Sequence, residues 1–208
     1  GMPIDGRLTD LERLGEVGDE GVAVLLSDST NAEVKGWTPS ERVVQSCFER
    51  LISQAKGRVF IALFGSNLHR ISHALELAPR FSRRAVILGR SLIRNFELAC
   101  DAGIMSRFDD VLISSDSAAE IAPSKLLVIC TGAQAEPRSA LLGMLSQEPG
   151  ALRVEPGDLV ILSSRSIPGN EQDISALINL ILARGAEAVY PAIEPHVHVS
   201  GHASRDEQ

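Results

Sequence analysis

Cysteine is scarce in this chain. Its 208 residues hold three, Cys47, Cys100 and Cys130, with no Cys-x-x-Cys spacing among them. That argues against a disulfide framework or a thiolate metal site and for inert thiols packed into helices and a strand. Long apolar runs are absent too: none approaches the roughly 20 residues that cross a bilayer. No basic-then-apolar leader opens the chain, so a cytoplasmic protein with no membrane partner is expected. Positive charge is in deficit, with 20 Lys and Arg against 27 Asp and Glu for a net charge of -7. Indiscriminate coating of nucleic acid is thereby disfavoured, because such affinity rests on phosphate neutralisation, although a local basic groove stays compatible. Gly-x-Gly-x-x-Gly and Walker patterns are both missing.

What is present is an ordinary globular composition, 44% hydrophobic and 23% charged, and chain enough for one large domain or two small ones. Val22–Ser27, Arg58–Phe64, Ala85–Leu88, Lys125–Cys130, Leu159–Leu162 and Glu187–Tyr190 read as strands; several are continuous apolar runs, the pattern of strands buried on both faces. Between them run helical periodicities. Thr38-Pro-Ser-Glu41 predicts a capped helix start, followed by Val43, Val44, Cys47, Leu51 and Ile52 at helical spacing. Further helices are expected from Leu68 to Leu77, through Cys100, and over Ile174–Ala183, with a short helical turn at Thr9–Leu14. The stretch Ile104–Pro123 reads as irregular, its acids Asp109, Asp110 and Asp116 as solvated surface. Strands alternating with helices predict an α/β fold: a three-layer, doubly wound, mostly parallel sheet.

The strand exits share a chemistry. Gly65-Ser-Asn-Leu-His-Arg70, Gly89-Arg-Ser91, Thr131-Gly-Ala-Gln134 and Ser163-Ser-Arg-Ser166 each join Gly or Ser to a polar or basic side chain. Such loops present backbone amides at helix starts, which suits phosphate. Arg70, Arg90, Arg165 and His69 can add a discontinuous row of charge. Any one exit is better explained as an ordinary turn; recurrence at four exits reverses that preference for the set.

Two loops at opposite ends of the chain complete the candidate site. Near the start, Asp28 stands on a Ser29-Thr-Asn31 turn; near the end, His198-Val-Ser-Gly-His-Ala-Ser204 places two histidines around a small-residue turn. His202 is taken as the functional histidine, His198 as its support, and His196 and His73 as exposed. On a strand, His196 and His198 share a face, which with His202 leaves a three-histidine zinc site conceivable.

Taken together, Ser27-Asp-Ser-Thr-Asn-Ala-Glu33, Trp37-Thr-Pro-Ser-Glu-Arg42, Phe64-Gly-Ser-Asn-Leu-His-Arg-Ile71, Gly89-Arg-Ser91, Thr131-Gly-Ala-Gln-Ala-Glu-Pro137, Ser166-Ile-Pro-Gly-Asn-Glu171 and His198-Val-Ser-Gly-His-Ala-Ser204 resemble the bacterial ribonuclease J family over essentially the whole chain. In that family a Rossmann-like β-CASP domain is inserted in a metallo-β-lactamase domain, with RNA in the channel between them. The resemblance implies a lactamase-domain flank over residues 1–34, a β-CASP domain over 35–195 and a return into the lactamase domain over 196–208. It implies Asp28 and His202 as catalytic residues. For RNA or phosphate it implies Ser66, Asn67, His69, Arg70, Arg90, Ser91, Gly132, Gln134, Ser164, His198, Ser200 and Gly201. The lactamase signature His-x-His-x-Asp-His is not in the chain, so no complete metal site is expected. Zn2+, or Mn2+ or Mg2+, is placed in the parent enzyme. The implied function is a metal-dependent 5′-exo- and endoribonuclease of RNA processing and decay, with 5′-monophosphorylated single-stranded RNA as substrate. Its implied partners are the lactamase domain in cis and other copies of the parent in a homo-oligomer. The fragment alone is expected to be inactive. The alternative is a noncatalytic nucleotide- or RNA-binding module of the same fold class.

Overall fold

The computed structural model describes residues 2–4, 6–146 and 152–208. The chain divides into two compact units, a larger one over Val44–His198 and a smaller one built from Gly1–Val43 with Val199–Gln208.

In the larger unit five strands form one all-parallel sheet: β1 (Val59–Ala62), β2 (Arg84–Leu88), β3 (Leu126–Cys130), β4 (Leu159–Leu162) and β5 (Glu187–Val189). Their order is β2-β3-β1-β4-β5. Val59 pairs with both Leu127 and Leu159, and Ala62 with both Cys130 and Leu162. The three central strands therefore end level, and their exits open on one edge. The apolar runs fail to alternate because both faces are covered. Phe60, Ala62, Val128, Cys130, Val160 and Leu162 pack with Ala118, Leu141, Met144, Leu145, Leu177 and Ile181. Those partners come from α5 (Ser115–Ala118), α6 (Ala140–Leu145) and α7 (Glu171–Ala183). The intervening Val59, Ile61, Leu127, Ile129 and Ile161 are as fully buried. On the helical side, α3 (Leu68–Arg80) and α4 (Arg90–Asp101) lie against β2. The helix α2 (Arg42–Gln54) is tied to α3 by an Arg80–Glu49 ion pair and by His73 Nε2 donating to Gln45 O at 3.3 Å. Each large apolar side chain so buried contributes about 1.5–3 kcal/mol, so the sheet is the core of the larger unit.

Several expectations are corrected. His73 is not a surface residue, its side chain being only 13% exposed, because α2 covers the face from which it projects. The region 104–123 is partly ordered: it contains α5 and a parallel bridge from Leu112 to Ala85. The helix α6 was not signalled by periodicity, being only 6 residues long; it begins where Ser139 Oγ accepts from Leu142 N. Pro195–Val197 is a tight 3-10 turn, so His196 and His198 do not share a strand face.

The smaller unit holds α1 (Leu11–Glu20), longer than the turn anticipated, capped by Asp10 Oδ1 accepting from Arg13 N at 2.9 Å. Val22–Ser27 is not a strand, and Val24 and Leu26 are 73% and 91% exposed. Its composition favours extended backbone, but strand formation needs a neighbouring edge to hydrogen-bond, and none among the described residues pairs with it. Thr38 does not cap α2. That helix starts at Arg42, whose N–H reaches Ser40 Oγ, while the Thr38 hydroxyl is engaged elsewhere.

Candidate functional site

In the larger unit the exits of β2, β3, β1 and β4 stand side by side at the carboxyl edge of the sheet. From β1 the chain turns toward β2; from β4 it turns the other way, toward β5. The crevice between β1 and β4 is thus the topological switch point, where open α/β sheets bind ligands. Here Arg70 fills it. The residue is 3% exposed, and its Nη1 donates to Ser163 O at 2.8 Å, to Ser163 Oγ at 3.1 Å and to His198 Nδ1 at 3.0 Å. Ser163 Oγ in turn donates to Val197 O at 2.6 Å. Arg70 is therefore an internal tie, unlike Arg90 and Arg165, which are exposed.

A second tie crosses the end of β1, which lies between β3 and β4. From the β3 exit, Gln134, 3% exposed, donates through Nε2 to Ser164 Oγ and Arg165 O and accepts from Ile167 N. Ser164 Oγ returns a bond to Ala133 O at 2.9 Å. The loop geometry demands glycine at position 132. Gly132 has φ of 124°, and an added Cβ would lie 2.7 Å from Leu141 Cβ and 2.8 Å from Ser139 Oγ. At the β1 exit Asn67 caps α3, its side chain accepting from Arg70 N at 3.1 Å. Ser66, His69 and Ser72, with Ile104 and Met105, border an open cavity of about 470 Å³ beside this turn. Ser91 is exposed in the first turn of α4.

The smaller unit brings the two ends of the chain together. Asp28 Oδ2 lies 2.5 Å from His202 Nδ1, although 174 positions separate them. Both side chains are about half exposed, at 49% and 50%; a pair so exposed adds little stability and serves to orient the ring. The Ser-Thr-Asn turn read from the sequence does hold the acid in place. Asp28 Oδ1 accepts from Thr30 Oγ1 at 2.7 Å and from Thr30 N at 3.0 Å. The Thr30 hydroxyl first, then its backbone N–H and the His202 ring, hold the Asp28 carboxyl down at about 2. An ionised acceptor at Nδ1 places a proton on that nitrogen, leaving Nε2 as the position where a proton can be given or taken.

Beneath the pair lies a buried hydroxyl chain that sequence reasoning missed. Asn31 Nδ2 donates to Ser204 Oγ at 2.9 Å; Ser204 Oγ and Thr38 Oγ1 are 2.9 Å apart; Thr38 Oγ1 donates to His202 O at 2.8 Å. Ser200 Oγ accepts from His202 N at 3.0 Å, and Gly201 between them is exposed. The only sequence signal was a concentration of short polar residues in both terminal motifs. Asp28 holds the His202 ring, and in the larger unit His198 is tied to Arg70.

The family profile described as "Ribonuclease J, beta-CASP domain" matches residues 56–181. Ribonuclease J of Helicobacter pylori (strain ATCC 700392 / 26695) is 37% identical over 206 residues, 99% of this chain and 30% of that protein. Ribonuclease J of Mycobacterium tuberculosis (strain ATCC 25618 / H37Rv) is 43% identical over 202 residues, covering 97% and 36%. Ribonuclease J of Thermus thermophilus is 37% identical over 205 residues, covering 99% and 35%. The chain thus spans about a third of the length of these curated relatives.

Proposed function

Because the chain belongs to the ribonuclease J β-CASP family, we propose that it is the β-CASP part of a metal-dependent ribonuclease. That enzyme processes and degrades RNA, cutting internally and from a 5′-monophosphate end. The observation that carries this reading is the Asp28–His202 pair at 2.5 Å. Asp28 orients the ring, and His202 Nε2 exchanges a proton with an oxygen of the phosphodiester under attack.

Single-stranded RNA follows the sheet edge of the larger unit. Ser66, Asn67, His69, Arg90 and Ser91 meet its phosphates with side chains and loop amides, and the buried Gly132 shapes the β3 exit behind them. Arg70, Gln134 and Ser164 hold those loops from within, and His198 faces the same path. In the smaller unit Ser200 and Gly201, beside His202, are assigned to phosphate as well. The half-exposed acid and imidazole and the exposed Arg90 support this assignment.

The metal is assigned outside this chain, which lacks the His-x-His-x-Asp-His signature. Among the described residues no group of three or more His, Cys, Asp or Glu can hold an ion. Asp28 and His202 are two donors, short of the three or four protein ligands of a zinc site. The zinc, manganese or magnesium of the enzyme is assigned to the metallo-β-lactamase domain, the partner in cis. The exposed segment with Val22, Val24, Leu25 and Leu26 supports such a partner, since so contiguous an apolar stretch is ordinarily covered. The whole enzyme is cytoplasmic and homo-oligomeric in this proposal.

The test is to substitute this chain for the corresponding third of an active ribonuclease J and assay 5′-monophosphorylated RNA with zinc, manganese or magnesium added. The chimera is expected to cleave and the chain alone to be inactive. A folded, metal-loaded chimera that neither binds nor cuts RNA refutes the reading and leaves a noncatalytic nucleotide-binding module of the same fold.

A further inference from the structure

The switch-point crevice constrains the chemistry of His198. A guanidinium carries only donors and is never deprotonated in a protein, so a nitrogen hydrogen-bonded to it must offer a lone pair. The nitrogen 3.0 Å from Arg70 Nη1 is His198 Nδ1. A neutral imidazole has one proton, which here must sit on Nε2. Protonating Nδ1 would set N–H against N–H and add a second positive charge beside the first.

The rest of the cluster holds Arg70 in this orientation. Ser163 Oγ spends its proton on Val197 O, one residue before His198, so toward Nη1 it can only accept. Ser163 O accepts from the same Nη1 at 2.8 Å. One side chain thereby joins β4's exit to the segment bearing the histidine, a role suited to a rigid fork of donors and not to a lysine's single ammonium.

We propose that Arg70 is a positioning residue that fixes His198 as the Nδ1-acceptor, Nε2–H tautomer, making His198 an uncharged hydrogen-bond donor to an RNA phosphate oxygen. His202 differs, its Nδ1 facing a carboxylate; of the two histidines of the terminal motif, one moves a proton and the other only donates a bond. The phosphate-donor role rests on the RNA reading above, whereas the tautomer does not.

Two measurements test the proposal. On this chain without RNA, long-range 1H–15N spectra, assigned with single His→Gln variants, are expected to show His198 Nδ1 as pyridine-like and Nε2 as pyrrole-like at neutral pH. His202 should show a protonated Nδ1. Arg70→Lys should leave His198 in a mixture of tautomers. A protonated His198 Nδ1 in the unaltered chain overturns the proposal even if Arg70→Lys fails to fold.

In the ribonuclease J chimera, His198→Gln keeps a neutral N–H near the Nε2 position, while His198→Asn places its amide near Nδ1, against the arginine. Asn is expected to weaken binding of 5′-monophosphorylated RNA by about tenfold, the worth of one hydrogen bond, and Gln by clearly less. Neither should alter the slope of affinity against salt, because no charge is removed. Equal affinities for both variants and wild type, or a slope reduced by about one unit, overturn the donor role. Wild-type chimera that binds no RNA overturns the preceding reading and the donor role with it, while the spectra still judge the tautomer.

Discussion

Replacing Thr38 by Val keeps the shape of the side chain and deletes one hydroxyl. Thr38 is 7% exposed, and its hydroxyl donates to His202 O at 2.8 Å and lies 2.9 Å from Ser204 Oγ. With its proton committed to the carbonyl, Thr38 Oγ1 accepts from Ser204, which in turn accepts from Asn31 Nδ2. The Thr38→Val substitution would leave the Ser204 proton, on a residue 1% exposed, without that acceptor. Orphaning one buried hydroxyl costs about 1–3 kcal/mol, or roughly a 5- to 150-fold rise in local opening. Native-state hydrogen exchange reads this directly. The reporter is the Arg205 amide, bonded to Val34 O at 2.9 Å; the control is the Ser163 amide in the sheet, bonded to Ala62 O at 2.8 Å. Arg205 should exchange faster by the stated factor and Ser163 at its former rate. Unchanged protection at Arg205, or an equal rise at both amides, would refute the view that this hydroxyl chain locally fastens the segment carrying His202.

The Asp28 carboxylate, depressed to about 2, should keep its pairing above the ordinary carboxylate range and lose it only as pH falls through about 2; a carboxyl 13C titration with a midpoint near 4 would show the Thr30 and His202 bonds to be absent in solution. Gly132→Ala should destabilise the larger unit by about 1–3 kcal/mol, since its backbone is left-handed and the space is taken. Gly143→Ala, in α6 with nothing within 4 Å, should stabilise by up to about 1 kcal/mol; urea midpoints of the two variants decide, and a shared sign sinks the argument. In the chimera, Arg90→Ala should weaken RNA binding and flatten its salt dependence by about one unit of slope without altering metal content; an unchanged slope would return the Gly89-Arg-Ser91 exit to an ordinary turn.

The sheet was legible in the sequence because its strands are continuous apolar runs punctuated by Gly and Ser, and a segment buried on both faces carries that record in its own residues. Likewise the Asx turn at Asp28 is local, its donor only two residues on. Other features depended on partners that composition does not name. Arg70 and Arg90 both lie in the first turn of the helix after a strand, yet one is buried against Ser163 and His198 and the other faces solvent. Val22–Leu26 has the residues of a strand without an edge to pair with among the described residues. The sequence alone thus determined the five sheet strands and the longer helices α2, α3, α4 and α7, since periodicity is a property of a segment. Only the tertiary structure decided that Asp28 meets His202 across 174 positions, and that Arg70 sets the ring of His198, because a hydrogen bond's partner is chosen by geometry and not by spacing along the chain.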